Sequence, residues 1–206
     1  MSKEVKTQAE KSSEKARGNG IVNPSGGFAV FYTPLYLAFI PVTSYLTRPS
    51  GILEKTITTT IKYTPGLSTT TPARTIPALS ALYVFFTFGA SGVFSVAGQA
   101  MSRQSGLDDS NPREFVTQMR GLPQRLRSAH LHLMENFAGF ALAAALAQTL
   151  APGDRQVVNL LGLHVLLKCA VHYPAYLANV PPVRTLAHVA ATASVINVLW
   201  RLAVGQ

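Results

Sequence analysis

Residues 78–101 read ALSALYVFFTFGASGVFSVAGQAM, without one charged side chain. A helix needs about 20 predominantly apolar residues to cross a ~30 Å hydrocarbon core. No other feature narrows the fold so far. Three further runs of that kind follow. Residues 126–151 begin with charges and end as FAGFALAAALAQTLA; residues 157–180 are interrupted only by Lys168 and two histidines; residues 183–204 end near Trp200 and Arg201. Turn signals at Pro152-Gly153-Asp154 and at Asn179-Val180-Pro181-Pro182 separate the last three. Short turns make antiparallel neighbours. The expected fold class is therefore all-α, an integral membrane four-helix bundle, over residues 78–206.

Composition supports this reading and removes others. Charged residues are 13% of the 206, against the ~25% of soluble domains, and 48% are hydrophobic. So apolar a chain is no disordered polymer, and it has too few charges to cover the surface of an ordinary soluble enzyme. The net charge is nonetheless +9, from 18 Lys+Arg against 9 Asp+Glu. Those cations are diluted by charge-free runs, which speaks against nucleic acid as a partner and for a membrane protein with basic loops. The single cysteine, Cys169, excludes an intrachain disulfide and a multi-cysteine metal site. It is expected as a small buried hydrophobe.

The first 77 residues differ from the rest. Residues 1–20 form a polar tail with Lys3, Lys6, Lys11, Lys15 and Arg17, without the apolar core of a secretory signal. Residues 21–77 are an extension of two parts. Its apolar segment, 28–46, carries no charge but contains Pro34 and Pro41, and reads either as a kinked fifth span or as a helix in the headgroup region. The stretch 47–77, rich in Thr, Pro and Gly, reads mainly as an irregular connection, with ITTTIKY (57–63) a candidate short strand. Basic residues favour the cytosolic side. The loop 102–127 holds Arg103, Arg113, Arg120, Arg125 and Arg127 and should be cytosolic. Five spans would put the basic tail on that same side; four would leave it on the wrong face. Within this loop, Asn111, Pro112 and Glu114 fit the start of a capped helix leading into the second run.

Polar residues inside the apolar runs mark where chemistry is to be sought. Arg125, Ser128, His132 and Glu135 are spaced i, i+3, i+7, i+10 and share one helical face. A carboxylate there needs a partner or water; a structural ion pair or a ligand site would both serve. His164, Lys168, His172 and Tyr176 follow at i+4 steps, with Lys168 a candidate partner for Glu135. Tyr173, Tyr176 and Arg184 stand near the basic end, as ligand donors or interface anchors. His130 and His132 point to different faces, a poor metal pair, so no metal is expected. Small residues permit close helix approach at Gly89 to Gly92, and from Ala138 to Ala147.

These residues carry a resemblance. Asp108-Asp109-Ser110-Asn111-Pro112-Arg113 lies in the loop, Arg125-x9-Glu135 opens the second run, and Tyr176-Leu177-Ala178-Asn179-x-Pro181-x-x-Arg184 closes the third. In that order, on four spans, the chain resembles the MAPEG family (membrane-associated proteins in eicosanoid and glutathione metabolism), its bacterial and fungal members above all, over about 78–206. The resemblance implies a homotrimer of four-helix subunits in the lipid bilayer. It implies glutathione as cosubstrate between subunits near the cytosolic face, a lipophilic substrate entering from the bilayer, and an endoplasmic-reticulum location if the source is eukaryotic. Arg125 and Glu135 match the family's second-span pair. His132 stands at a usual Asn, Ser128 at a frequent Arg, and Asn136 at a Tyr of some members. Tyr176 matches the second of two tyrosines, with His172 at the first, and Arg184 matches a fourth-span Arg near the thiol. By this carry-over Arg125, His132, Glu135 and Tyr176 hold glutathione and Arg184 stabilises its thiolate.

Three readings follow. The first is a glutathione-dependent transferase or peroxidase acting on a lipophilic electrophile or lipid hydroperoxide. The second is a catalytically altered or inactive scaffold that regulates a partner protein, with residues 1–77 as the docking arm. A proton-coupled transporter is weaker, since the chain shows no internal repeat and few spans.

Overall fold

The computed structural model describes residues 24–108, 110–111 and 116–205. They are helical or in turns and loops, with no strand among the described residues. Four helical stretches are long and apolar enough to cross a membrane: Pro72–Met101, Gly121–Leu150, Arg155–Leu177 and Pro181–Val204. These are the four expected runs, and the all-α membrane bundle is the fold observed.

In chain order, α1 is Thr33–Leu46 and α2 is Ile52–Tyr63. The first span joins a short 3₁₀ turn to α3 (Thr75–Val84), a π-helical turn Phe85–Ala90 and α4 (Ser91–Met101). The second span is α5 (Gly121–Leu150). The third joins α6 (Arg155–Leu166), a π turn Leu167–His172 and α7 (Tyr173–Leu177); the fourth is α8 (Pro181–Val204). The chain divides into two compact units, Met1–Leu35 and Tyr36–Gln206, and the bundle lies in the second.

The bundle is packed for lipid. Phe85, Val93, Leu142, Leu150 and Trp200 are exposed on its outside, whereas Lys168, His164, His172, Asn159 and Asn197 are buried. Large apolar side chains outside and polar ones inside reverse the pattern of a soluble bundle. At the core, Tyr83 packs edge-on against Phe140 and His164, with ring centroids at 4.8 and 5.1 Å. The close approach of the first two spans occurs at Gly98, rather than at Gly89 or Gly92. A Cβ there would meet Pro123 O at 3.1 Å and Leu126 Cβ at 3.2 Å.

Residues 57–63 are helical, not a strand. Leu53, Ile57 and Ile61 recur at i+4 and pack on the core, and this spacing outweighs the β-preference of the Ile and Thr residues. The threonines fit a helix because their hydroxyls bond one turn back, Thr56 to Ile52 O and Thr58 to Glu54 O. An aspartate caps α6: Asp154 Oδ1 accepts from the N–H groups of Gln156 and Val157. The expected cap at Asn111 fails for α5. That helix starts at Gly121 behind non-helical Met119 and Arg120, while Asn111 N–H donates to Asp108; Asp109 and Pro112 to Phe115 lie outside the described residues.

From Tyr36 onward, α1 is tied to the bundle by polar contacts. Tyr36 meets His188, and Asn197 Nδ2 reaches Ile40 O, Thr43 Oγ1 and Ser44 Oγ at 3.2, 3.1 and 2.8 Å. Thus α1 runs parallel to α8, away from the Arg184 end. Beyond it, Gln156 donates to Ser44 O and Asn159 to Thr47 O. Such bonds count in a membrane, where no water replaces them.

Candidate functional site

The π turn Leu167–His172 governs what the third span presents. In an α-helix each i+4 step overshoots a full turn by about 40°, so His164, Lys168, His172 and Tyr176 would drift around the axis. The wider i+5 turn draws the row back. All four consequently face the interior, where α1, α5 and α8 supply the opposing groups.

The deepest of these groups is Lys168, 0% exposed, whose Nζ lies 2.8 Å from His188 Nδ1. It does not pair with Glu135. No carboxylate lies within ion-pair distance of Lys168 among the described residues. Lysine can only donate, so His188 accepts on Nδ1 and carries its own proton on Nε2. That N–H then donates to Tyr36 Oη at 3.1 Å. His132 Nε2 approaches the same Nδ1, also at 3.1 Å.

One turn toward the Arg184 end, His132 stacks on His172 at a centroid distance of 4.7 Å. His172 donates from Nδ1 to Arg184 O, which leaves its Nε2 buried and unpartnered. The Arg184 guanidinium lies over the Tyr176 ring, 4.7 Å from its centroid, and Tyr176 is 6.5 Å from His132. Arg125 donates from Nε to Leu177 O, the residue after Tyr176. Glu135 approaches His132 Nδ1 at 3.7 Å, yet its side chain is 72% exposed.

The five residues expected from the sequence, Arg125, His132, Glu135, Tyr176 and Arg184, therefore gather at one end of the bundle. Their shares differ. Arg125 spends its Nε on a helix terminus and keeps only its terminal nitrogens for a ligand. Glu135 stands on the outer face, where lipid would leave a carboxylate without partners. Tyr173 is no interface anchor: it is buried against Phe86 with its hydroxyl unpartnered. His130 bonds Ser91 Oγ at 2.9 Å in another part of the bundle, apart from His132 as expected. No cluster suited to a metal ion exists among the described residues.

Two participants were missed by sequence reasoning, His188 and Tyr36. His188 could have been found, because it sits four residues after Arg184 on the same helical face. Tyr36 could not, since nothing local says that α1 docks against α8.

Burial magnitude bears on what Lys168 is for. A lysine at a bilayer centre costs about 2.5–3.5 kcal/mol on insertion scales, and a hydrogen bond to a charged group returns about 1.5–3 kcal/mol. The two nearly cancel. Stability alone therefore gives little reason to keep a lysine there.

The family model for MAPEG matches residues 76–204. Neither the curated proteins nor the solved structures contain a match to the chain.

Proposed function

The chain belongs to the MAPEG family, and from that premise we propose that it binds glutathione at the Arg184 end of the bundle and directs the thiolate onto a lipophilic electrophile or a lipid hydroperoxide. The observation that carries this reading is Glu135, a carboxylate 72% exposed on the outer face of α5 and flanked by His132. A ligand with a cationic amine would satisfy it. Glutathione offers that amine together with two carboxylates, and the same end of the bundle holds Arg125 and Arg184 to receive them.

The residues present fit the group. His172 Nε2, buried without a partner, is an acceptor waiting for a donor. Glutathione supplies a thiol whose ordinary pKa, near 8.5, has to be lowered for it to react as thiolate. Arg184, held on the ring of Tyr176, brings a fixed positive charge to this end and favours the anionic form. His132 takes its orientation from His172 and His188. Apolar walls admit the lipophilic substrate from the bilayer and keep water from the thiolate.

A homotrimer belongs to this reading. On α5, Glu135, Ala138, Leu142 and Ala145 lie on one exposed stripe. Small residues on it let a second α5 approach, which would shelter Glu135 between subunits. The positive-inside rule puts loop 102–127 and the Arg184 end in the cytosol, with an endoplasmic-reticulum membrane the location if the source is eukaryotic. The scaffold alternative has less support, because Tyr36 to Thr47 and α2 are already used within the bundle, leaving residues 1–35 for a partner. Equilibrium binding of glutathione to the purified chain tests the proposal: Glu135→Ala should weaken binding about tenfold or more, near 1.4 kcal/mol. Absence of wild-type binding at millimolar glutathione would refute it.

A further inference from the structure

The opposite end of the bundle holds a cavity of about 730 Å³ between α2, the connection 64–75 and the start of α6. Its place is set by the third span. Arg155 and Leu177 are the two ends of that 23-residue stretch, ~35 Å apart at 1.5 Å per residue. The cavity and the Arg184 site therefore lie toward opposite membrane surfaces. One wall, α2, is held fast: Ile57 is buried in the slot that Gly162 leaves on α6, where any Cβ would fall on its side chain.

The floor is apolar, made by Ile57, Ile61, Leu67 and Val158. The rim is charged. Glu54 and Arg155 neutralise one another there: Arg155 donates to Glu54 Oε1 from Nε and Nη2, at 3.0 and 2.7 Å. Lys62 is exposed on the same rim and has no ion-pair partner among the described residues. The hydroxyl-bearing residues Ser68 and Thr70 stand nearby. The net result, among the described residues, is an apolar hollow with one cation at its mouth that has no ion-pair partner, at one end of the third span. Its volume lies within the ~300–1,000 Å³ of small-molecule sites.

We propose that this cavity binds a single-chain lipid of the fatty-carboxylate class, its chain on the Ile57–Ile61–Leu67–Val158 floor and its carboxylate at Lys62. Charge selects the headgroup. A neutral alcohol leaves Lys62 unpaired. A phosphate monoester carries roughly two negative charges, more than Lys62 alone can neutralise while the Arg155 guanidinium is committed to Glu54. The site is independent of the glutathione reading, and most of its lining, Lys62 included, lies outside the family-matched residues.

The test uses the full chain in zwitterionic phosphatidylcholine nanodiscs with the fluorescent fatty acid cis-parinaric acid as probe. One saturable site per chain is expected, emptied by palmitate but not by hexadecanol. Lys62→Glu, a substitution on an exposed side chain, should weaken palmitate competition about tenfold. Leu67→Trp should block the probe by filling the cavity. Glutathione binding should stay at the wild-type value in both variants, so failure here is distinguishable from failure of the proposed function. Equal competition by hexadecanol, or no effect of Lys62→Glu, would overturn the proposal. Stronger competition by lysophosphatidate than by palmitate would overturn the carboxylate assignment, and absence of saturable binding would overturn the site.

Discussion

Lys168 shows how a single residue separates structural from functional demands. Its ammonium is fully buried and leans on an imidazole instead of a carboxylate. Removing one partner of a buried charge pair leaves an uncompensated charge, whereas replacing the charge itself with an apolar side chain of like length is often neutral or stabilising by about 1–4 kcal/mol. Lys168→Met should therefore melt no lower than wild type in detergent, while the fraction of bound glutathione present as thiolate falls, read by its ultraviolet absorbance. A lower melting temperature with unchanged thiolate would assign Lys168 to structure alone. Asn197 is the opposite case, since its amide serves α1 and has no place in the ligand site. Asn197→Leu should cost about 1–3 kcal/mol through the unpaired groups it leaves on α1, read as a lower melting temperature at wild-type glutathione affinity. Of the residues at the Arg184 end, those on one helix were legible from spacing alone. His188 was overlooked although its spacing marked it, and Tyr36 depends on a contact 152 positions away.

At the scale of elements, the four spans were legible because lipid demands long apolar runs, and no competing rule blurs that signal. Helix α2 was not. Its threonines and isoleucines favour strands, and the helical pattern rests on Leu53, Ile57 and Ile61 alone. What holds α2 is a shape match with Gly162, a feature of tertiary structure. Gly162→Ala should displace α2 and cost about 1–3 kcal/mol by overpacking, and Ile57→Ala in the same chain should restore part of the loss, read by thermal melting. Helix α2 also carries a pH-dependent tie. Burial pushes the Glu54 carboxyl up, but the Ser50 N–H, Arg155 and Asn159 outweigh it and hold the pKa below its ordinary 4.5. A lowered folded pKa contributes stability that is full above the unfolded value and fades as pH falls through the folded one. Melting temperatures should thus decline below about pH 4.5 in wild type and decline less in Glu54→Gln. The tie is half-exposed and worth at most ~1 kcal/mol. The π turns were invisible to a reading based on i+4 steps, yet they keep Lys168, His172 and Tyr176 on one side.

Taken as a whole molecule, the bundle is polar at its axis, apolar outside, and has distinct ends. Its Arg184 end gathers Arg125, His132, Glu135 and Tyr176; its other end is closed by α2 and contains the apolar cavity. The scarcity of charge in the sequence foretold the four apolar spans, and the few exceptions foretold which polar residues gather at the Arg184 end. The way residues 36–63 fold onto the bundle was not foretold, because Tyr36, Thr43 and Ser44 carry no periodic signal that names Asn197 or His188 as their partners. This changes what truncation should do. Deleting residues 1–77 removes Ile57 and Ile61 from the core as well as the partners of Asn197, so the bundle should be destabilised by several kcal/mol rather than simply freed of an arm. The proposed glutathione site at the polar end depends above all on Glu135. Calorimetric titration of glutathione into the detergent-solubilised chain, wild type beside Glu135→Ala, addresses it most directly. Saturable binding to the wild type is expected, with affinity about tenfold or more weaker in the variant at an unchanged melting temperature. Equal affinities, or no binding to a folded wild type at millimolar ligand, would contradict the proposal.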